Sequence, residues 1–225
     1  MEHARAHNPL GDARSAPDWP QREAALIARI RDRGLADRDA WNELLLAHQD
    51  RLFAVCQRMV GPAAAADLTQ DAMVKILQGL DGYDGRSQVG TWMVRVAMNA
   101  CLSWLRSQKL RRHKGLGGSE ESVRGLGTLG GARGQGGELS PLGRVQGDER
   151  NAALAAALAD LPDDQRAIVV LRDVQGLDYE QIAECLEVAV GTVKSRLFRA
   201  RMALRELVEN RLGDLEAGGA GQSRP

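Results

Sequence analysis

Cysteine is scarce in this chain of 225 residues, which has only Cys56, Cys101 and Cys185. Their number is odd, their spacings are wide and no CxxC occurs, which speaks against a disulfide framework or a zinc knuckle and fits a reducing cytoplasm. Each thiol is expected as a small buried hydrophobe. The four histidines (His3, His7, His48 and His113) form no ligand-spaced cluster, so no metal or cofactor is expected. Aromatics make up 4% of the residues. With few β-branched runs beside them, that argues against an extensive sheet. No apolar run approaches the length of a membrane span, so membrane insertion is not expected. The opening stretch MEHARAHNPLGDARSAPDWP lacks the apolar core of a signal peptide. Net charge is zero, which argues against a uniformly basic coat for nucleic acid. No nucleophile–base pair, phosphate loop or metal spacing occurs, so the chain is not expected to be an enzyme.

What is present is helical periodicity and a strong local asymmetry of charge. Residues 104–114 carry Arg106, Lys109, Arg111, Arg112 and Lys114 with no acid. Residues 160–187 carry eight acids against Arg166 and Arg172. Residues 191–206, GTVKSRLFRARMALRE, are basic again. On a helix, Val193, Leu197, Ala200, Leu204, Leu207 and Val208 make one apolar stripe. Thr192, Ser195 and Arg199 fall on the opposite side. Lys194, Arg201 and Arg205 line one flank, and Arg196 lines the other.

Two helical blocks flank a glycine-rich stretch, which makes the expected fold all-α with two helical domains. Residues 1–20 read as a disordered tail. The first domain, 21–113, contains four helical segments; Gly61-Pro62 stops the second, the third ends near Gly79, and a Gly- and Asp-rich loop precedes the fourth. Residues 114–147 read as a flexible linker that cannot bury enough surface to offset its ordering entropy. A coil of about 35 residues spans roughly 30–35 Å, so the two blocks can dock on separate surfaces. The second domain, 148–210, holds an alanine-rich helix, a helix entered through Pro162 with acids in its first turn, and a helix with Asp178 as N-cap. A short turn then leads into the basic helix, which completes a helix-turn-helix pattern. Residues 211–225 read as a second disordered tail.

In a helix-turn-helix the second helix enters the major groove by its N-terminal residues. Thr192, Ser195, Arg196 and Arg199 are therefore placed toward bases, and Lys194, Arg201 and Arg205 toward phosphates.

The stretch LPDDQRAIVVLRDVQGLDYEQIAECLEVAVGTVKSRLFRARMALRE closely resembles region 4 of bacterial sigma factors of the sigma-70 family, particularly the extracytoplasmic-function (ECF) class. The resemblance implies that this block binds the minus-thirty-five promoter element and touches RNA polymerase at the β flap. Glu187 stands where the family usually has Gly, and Ala189 where Pro is common; a left-handed backbone at Glu187 would carry a small strain.

DLTQDAMVKIL, residues 67–77, resembles region 2 of the same family. There it implies docking on the β′ clamp helices, through Asp67, Leu68, Gln70, Asp71 and Lys75. The spacing agrees in part: Asp67, Gln70, Asp71 and Lys75 share a polar face, while Leu68, Met73, Ile76 and Leu77 supply packing. GTWMVRVAMNACLSWLRSQKLRR resembles the segment that binds and opens the minus-ten element. Arg95, Asn99, Ser103, Arg106, Lys109, Arg111 and Arg112 are the residues carried over. Opening a duplex needs a pocket for an extruded base and cations for the displaced strand; the Asp81–Gly90 loop could frame such a pocket. Trp92 lies amid apolar residues, which favours core over stacking platform. Val89-Gly90 replaces a usual aromatic–basic pair, and Ser103 a frequent Asp.

The resemblance implies a cytoplasmic initiation factor with core RNA polymerase and promoter DNA as partners. It also implies an anti-sigma protein that holds the factor inactive and could tether it at the membrane. The rival reading is a free-standing repressor or activator that uses the second block alone.

Overall fold

The computed structural model describes residues 16–113 and 152–219. Among the described residues every regular element is helical. The first half holds α1 (Trp19–Arg33), α2 (Arg38–Val60), α3 (Pro62–Gly79) and α4 (Val89–His113). The second holds α5 (residues 152–160), α6 (Asp163–Val169), α7 (Tyr179–Leu186) and α8 (Val190–Gly219). A wider π-type turn, Val170–Val174, continues α6.

Local chemistry sets the boundaries. Asp37 caps α2 by accepting a hydrogen bond from the Ala40 amide at 3.1 Å. Arg29 clamps the same carboxylate at 3.1 and 2.8 Å. The Ala40 amide and then Arg29 hold the Asp37 carboxyl below the usual carboxylate range. Gly61, at φ 82°, ends α2 in a conformation that L side chains avoid, and Pro62 starts α3 where no backbone donor is missed. α7 opens on a reciprocal capping box: Asp178 accepts from the Gln181 amide at 2.7 Å, and the Gln181 side chain accepts from the Asp178 amide at 3.0 Å.

α2 packs against α3 and α4 around Leu44, Leu52, Met59, Ile76, Met93 and Met98, all without exposed surface. Cys56 and Cys101 meet inside this core, and Cys185 lies inside the second half; all three are free and buried. In the second half α8 lays Val193, Leu197 and Ala200 against Ile168, Leu171 and Ile182.

The two halves do not stand apart. Their apolar cores merge into one buried cluster. Arg166, 8% exposed, fixes the join. It donates to the Leu158 carbonyl at 2.7 Å, to Leu161 at 3.0 Å and to Ala159, all at the end of α5, and to the Met59 carbonyl in the last turn of α2. One guanidinium thus satisfies carbonyls at the ends of two helices that no further helical turn could pair. Arg51 of α2 also donates to the Gln175 side chain at 2.7 Å.

Two boundaries differ from expectation. Trp19 is buried within α1, so the first tail is shorter than residues 1–20. α8 runs to Gly219, so residues 211–219 are helical rather than a tail; Arg211 pairs with Asp160 on α5 and ties this extension down. The expected linker, 114–147, lies outside the described residues, as do 1–15, 148–151 and 220–225. Blocks expected to dock separately are in contact.

Candidate polymerase and promoter interfaces

On α3, Asp67, Gln70, Asp71 and Lys75 are exposed and share one face, at spacings of three, four and eight residues. Leu68 does not join them. It is 5% exposed and belongs to the buried stripe Ala65, Leu68, Ala72 and Ile76. Its side chain supports α3 from beneath, and its assignment to the docking face is corrected accordingly. Val74, 49% exposed, sits seven residues after Asp67, in the middle of the polar face. Sequence reasoning passed over it, although an apolar residue inside a polar stripe is itself a signal.

α4 carries Arg95, Asn99, Ser103, Arg106 and Lys109 along a single stripe, at spacings of four, four, three and three. Asn99, Ser103, Arg106 and Lys109 are exposed, and Arg95 is half-buried. Arg111 falls on the far side of the helix and Arg112 to one flank, so the structure splits the basic tail. Before α4 the loop is pinned. Tyr83 is buried, its hydroxyl donates to the Ser87 carbonyl, and its ring lies 5.5 Å from that of half-buried Trp92. Arg31 stacks over Tyr83 at 5.7 Å and donates to its carbonyl. Gly90 is required here, because a Cβ would stand 2.8 Å from the His48 ring. His48, bonded to Glu23 at 2.8 Å, lets the start of α4 approach α2 only if residue 90 has no side chain.

The helix-turn-helix is α7, the turn at Glu187, and α8. Glu187 adopts φ 55° and ψ 45°, a left-handed conformation, so the small strain conditional on that backbone applies. Thr192, Ser195, Arg196 and Arg199 form one stripe on α8, opposite buried Val193, Leu197 and Ala200. Ser195 donates to the Thr192 carbonyl at 3.1 Å, and Arg196 lies 3.8 Å from Asp164. On the other flank, Arg201 is clamped by Asp173, which holds its guanidinium firmly charged. Lys194 stacks on Tyr179 at 5.6 Å. That flank also carries Phe198 and Met202, 69% and 44% exposed, beside a cavity of about 340 Å³ that Tyr179 and Arg205 help to line. Both fall off the apolar stripe of α8, which the periodicity could have flagged.

Known proteins fit this layout. A family model described as Sigma-70 region 2 matches residues 44–111, and one described as Sigma-70, region 4 matches residues 151–204. The chain belongs to the sigma-70 family of RNA polymerase sigma factors, in its extracytoplasmic-function class. It is a promoter-specific sigma factor of transcription initiation. The "ECF RNA polymerase sigma-E factor" of Escherichia coli strain K12 is 29% identical over 188 residues, covering 83% of this chain and 94% of that one. The protein of the same description from Haemophilus influenzae is 28% identical over 198 residues, covering 86% and 96%. Among solved structures, the sigma factor RpoE bound to the anti-sigma factor NepR from Bartonella quintana matches at TM-score 0.56 and 25% identity, over 75% of this chain and 96% of that one. CnrH in complex with the cytosolic domain of CnrY shares the fold at TM-score 0.54 and 19% identity, over 85% and 97%. Sigma factors are initiation factors, and no helix among the described residues is long and apolar enough to cross a membrane.

Proposed function

We propose a division of roles within this sigma factor. Residues 21–113 grip core RNA polymerase and read and open the minus-ten element. Residues 148–210 read the minus-thirty-five element, and the chain performs no catalysis of its own. The docking face for the β′ clamp helices is Asp67, Gln70, Asp71, Val74 and Lys75: an apolar centre ringed by charge, which is the composition of a specific protein interface. Arg95, Asn99, Ser103 and Arg106 face the minus-ten bases, with Lys109, Arg111 and Arg112 as the cationic approach. Thr192, Ser195, Arg196 and Arg199 read the upstream groove, and Lys194 and Arg201 touch phosphates.

The observation that carries this reading is α8 itself. Its apolar stripe is buried, and its hydroxyls and cations are turned outward directly after a capped helix and a left-handed turn. The bound neighbours extend the reading to an anti-sigma protein as a further partner, with the cytoplasm, where polymerase and template lie, as the place of action.

The test is capture of purified core polymerase by the full chain, followed by run-off transcription on promoters selected from random DNA. Transcription that starts only when the chain is added, from sites sharing two spaced elements, is the expected result. Specific DNA binding without polymerase, and no effect on core, would overturn it in favour of a free-standing regulator.

A further inference from the structure

One flank of α8 carries cations that are held rather than loose. Arg201 is gripped by Asp173, which sits on the π-type turn Val170–Val174. Its Nε–H donates to one carboxylate oxygen at 3.1 Å, and its Nη2 donates to the other. A two-point grip fixes the plane of a guanidinium as well as its place. The Nη1 side is left for another acceptor, and the Arg201 side chain is still 52% exposed. Lys194 is held in a different way, 5.6 Å over the Tyr179 ring. Lys194, Arg201 and Arg205 line the same cavity of about 340 Å³, so the cations converge.

If charge alone mattered, Asp173 would be a poor choice at this position. A carboxylate beside a helix that meets a polyanion repels the polyanion and offsets the cation it touches. The turn that carries Asp173 is wider than an α-helical one. Such turns re-aim the side chains they hold and collect at functional positions. Orientation supplies the missing gain. A loose arginine loses rotamer freedom when it meets a phosphate, and one that is already fixed loses less.

We propose that Asp173 is a positioning residue for promoter binding: it holds the Arg201 fork toward the DNA backbone, so that an acid strengthens the grip on a polyanion. This rests on the assignment of Arg201 to a phosphate of the upstream element. Charge and orientation predict opposite signs. If charge decides, removal of the carboxylate tightens DNA binding. If orientation decides, its removal weakens binding.

The experiment uses holoenzyme reconstituted from purified core polymerase and the full chain. Its affinity for a labelled promoter fragment is measured between about 50 and 200 mM salt. Asp173→Asn should weaken binding about threefold or more at the lower salt, although it makes the chain more positive. The slope of log affinity against log salt should become shallower by about 0.9, as for one lost phosphate contact. Arg201→Ala should do the same, and the double variant should bind no more weakly than Arg201→Ala alone. A stabilising role confined to the fold would leave the salt slope where it was. Tighter or unchanged binding by Asp173→Asn, an unchanged slope, or additive losses in the double variant would each overturn the positioning role.

Urea unfolding followed by circular dichroism is recorded for each variant. If Asp173→Asn does not fold, Arg201→Lys decides the matter, because it keeps the charge and loses the fork. A loss close to that of Arg201→Ala supports the proposal, and affinity equal to that of the unaltered chain overturns it. The two readings fail differently. If Arg201→Ala changes neither affinity nor slope, the phosphate assignment in the proposed function falls, and the positioning role falls with it. If Arg201→Ala weakens binding and Asp173→Asn does not, the positioning role alone falls.

Discussion

The two halves of this sigma factor are held together by different means. The first is a scaffold of long helices: α2 has 23 residues and α4 has 25, and their contact buries a deep apolar core. The second is built from short pieces; α6 has 7 residues and α7 has 8. Helices that short are marginal in isolation. They persist because individual polar fixtures hold them, namely the Asp178–Gln181 box, the Asp173–Arg201 clamp and above all the buried Arg166. The first half is stabilised by bulk burial. The second depends on a few placed charges, and single substitutions should expose that difference.

All four tryptophans (Trp19, Trp41, Trp92 and Trp104) lie in the first half, so their fluorescence reports it alone, whereas circular dichroism reports both. The largest effect is expected from Arg166→Met. It leaves buried carbonyls without a donor and should cost about 3–5 kcal/mol. In urea the dichroism transition should move to lower denaturant well ahead of the fluorescence transition; coincident shifts would erase the contrast between the halves. Next, Arg196→Ala and Arg199→Ala should each change upstream-element preference by about 1–3 kcal/mol if the arginine grips guanine. Promoter selection with reconstituted holoenzyme reads this, and unchanged preference removes the residue from base reading. Asp67→Ala with Gln70→Ala should weaken core binding by about 1 kcal/mol or more without changing promoter choice, checked by titration of labelled chain with core. Asp178→Ala should destabilise the second half by about 1 kcal/mol, through loss of the α7 cap.

The smallest effect is a pH dependence. Burial pushes the Cys185 thiol from 9.0 up to about 12. The folded state therefore keeps this proton while the unfolded chain releases it. The resulting stability is intact below pH 9 and is lost progressively as pH rises toward 12. Cys185→Ala should flatten that part of the alkaline profile, measured by urea unfolding at stepped pH.

Much of this contrast was legible in the sequence. Gly61-Pro62, the Asp178 cap and the buried stripe of α8 follow from spacing and turn chemistry, and each stands where periodicity put it. Exposure of Asp67, Gln70 and Asp71 follows for the same reason. Leu68 was misplaced because the resemblance treated a whole helix segment as a surface, while the stripe through Ala65, Ala72 and Ile76 draws it inward. Val74 and Phe198 were legible and overlooked, as apolar residues out of phase with their stripes. The Arg166–Met59 bond, the Arg95–Glu187 contact and the Arg211–Asp160 tie were not legible. Each depends on groups 51 to 107 positions apart, and none leaves a local pattern.

The order of amino acids alone determined the helices, their ends and which side of each one avoids water, because those outcomes depend on neighbours a few positions away. Only the tertiary structure decided which cation meets which acid, and that the basic stripe of α4 faces acids of the second half. An exposed charge satisfies its local helix equally well with water or with a distant partner, so nothing short of the assembled fold selects between them.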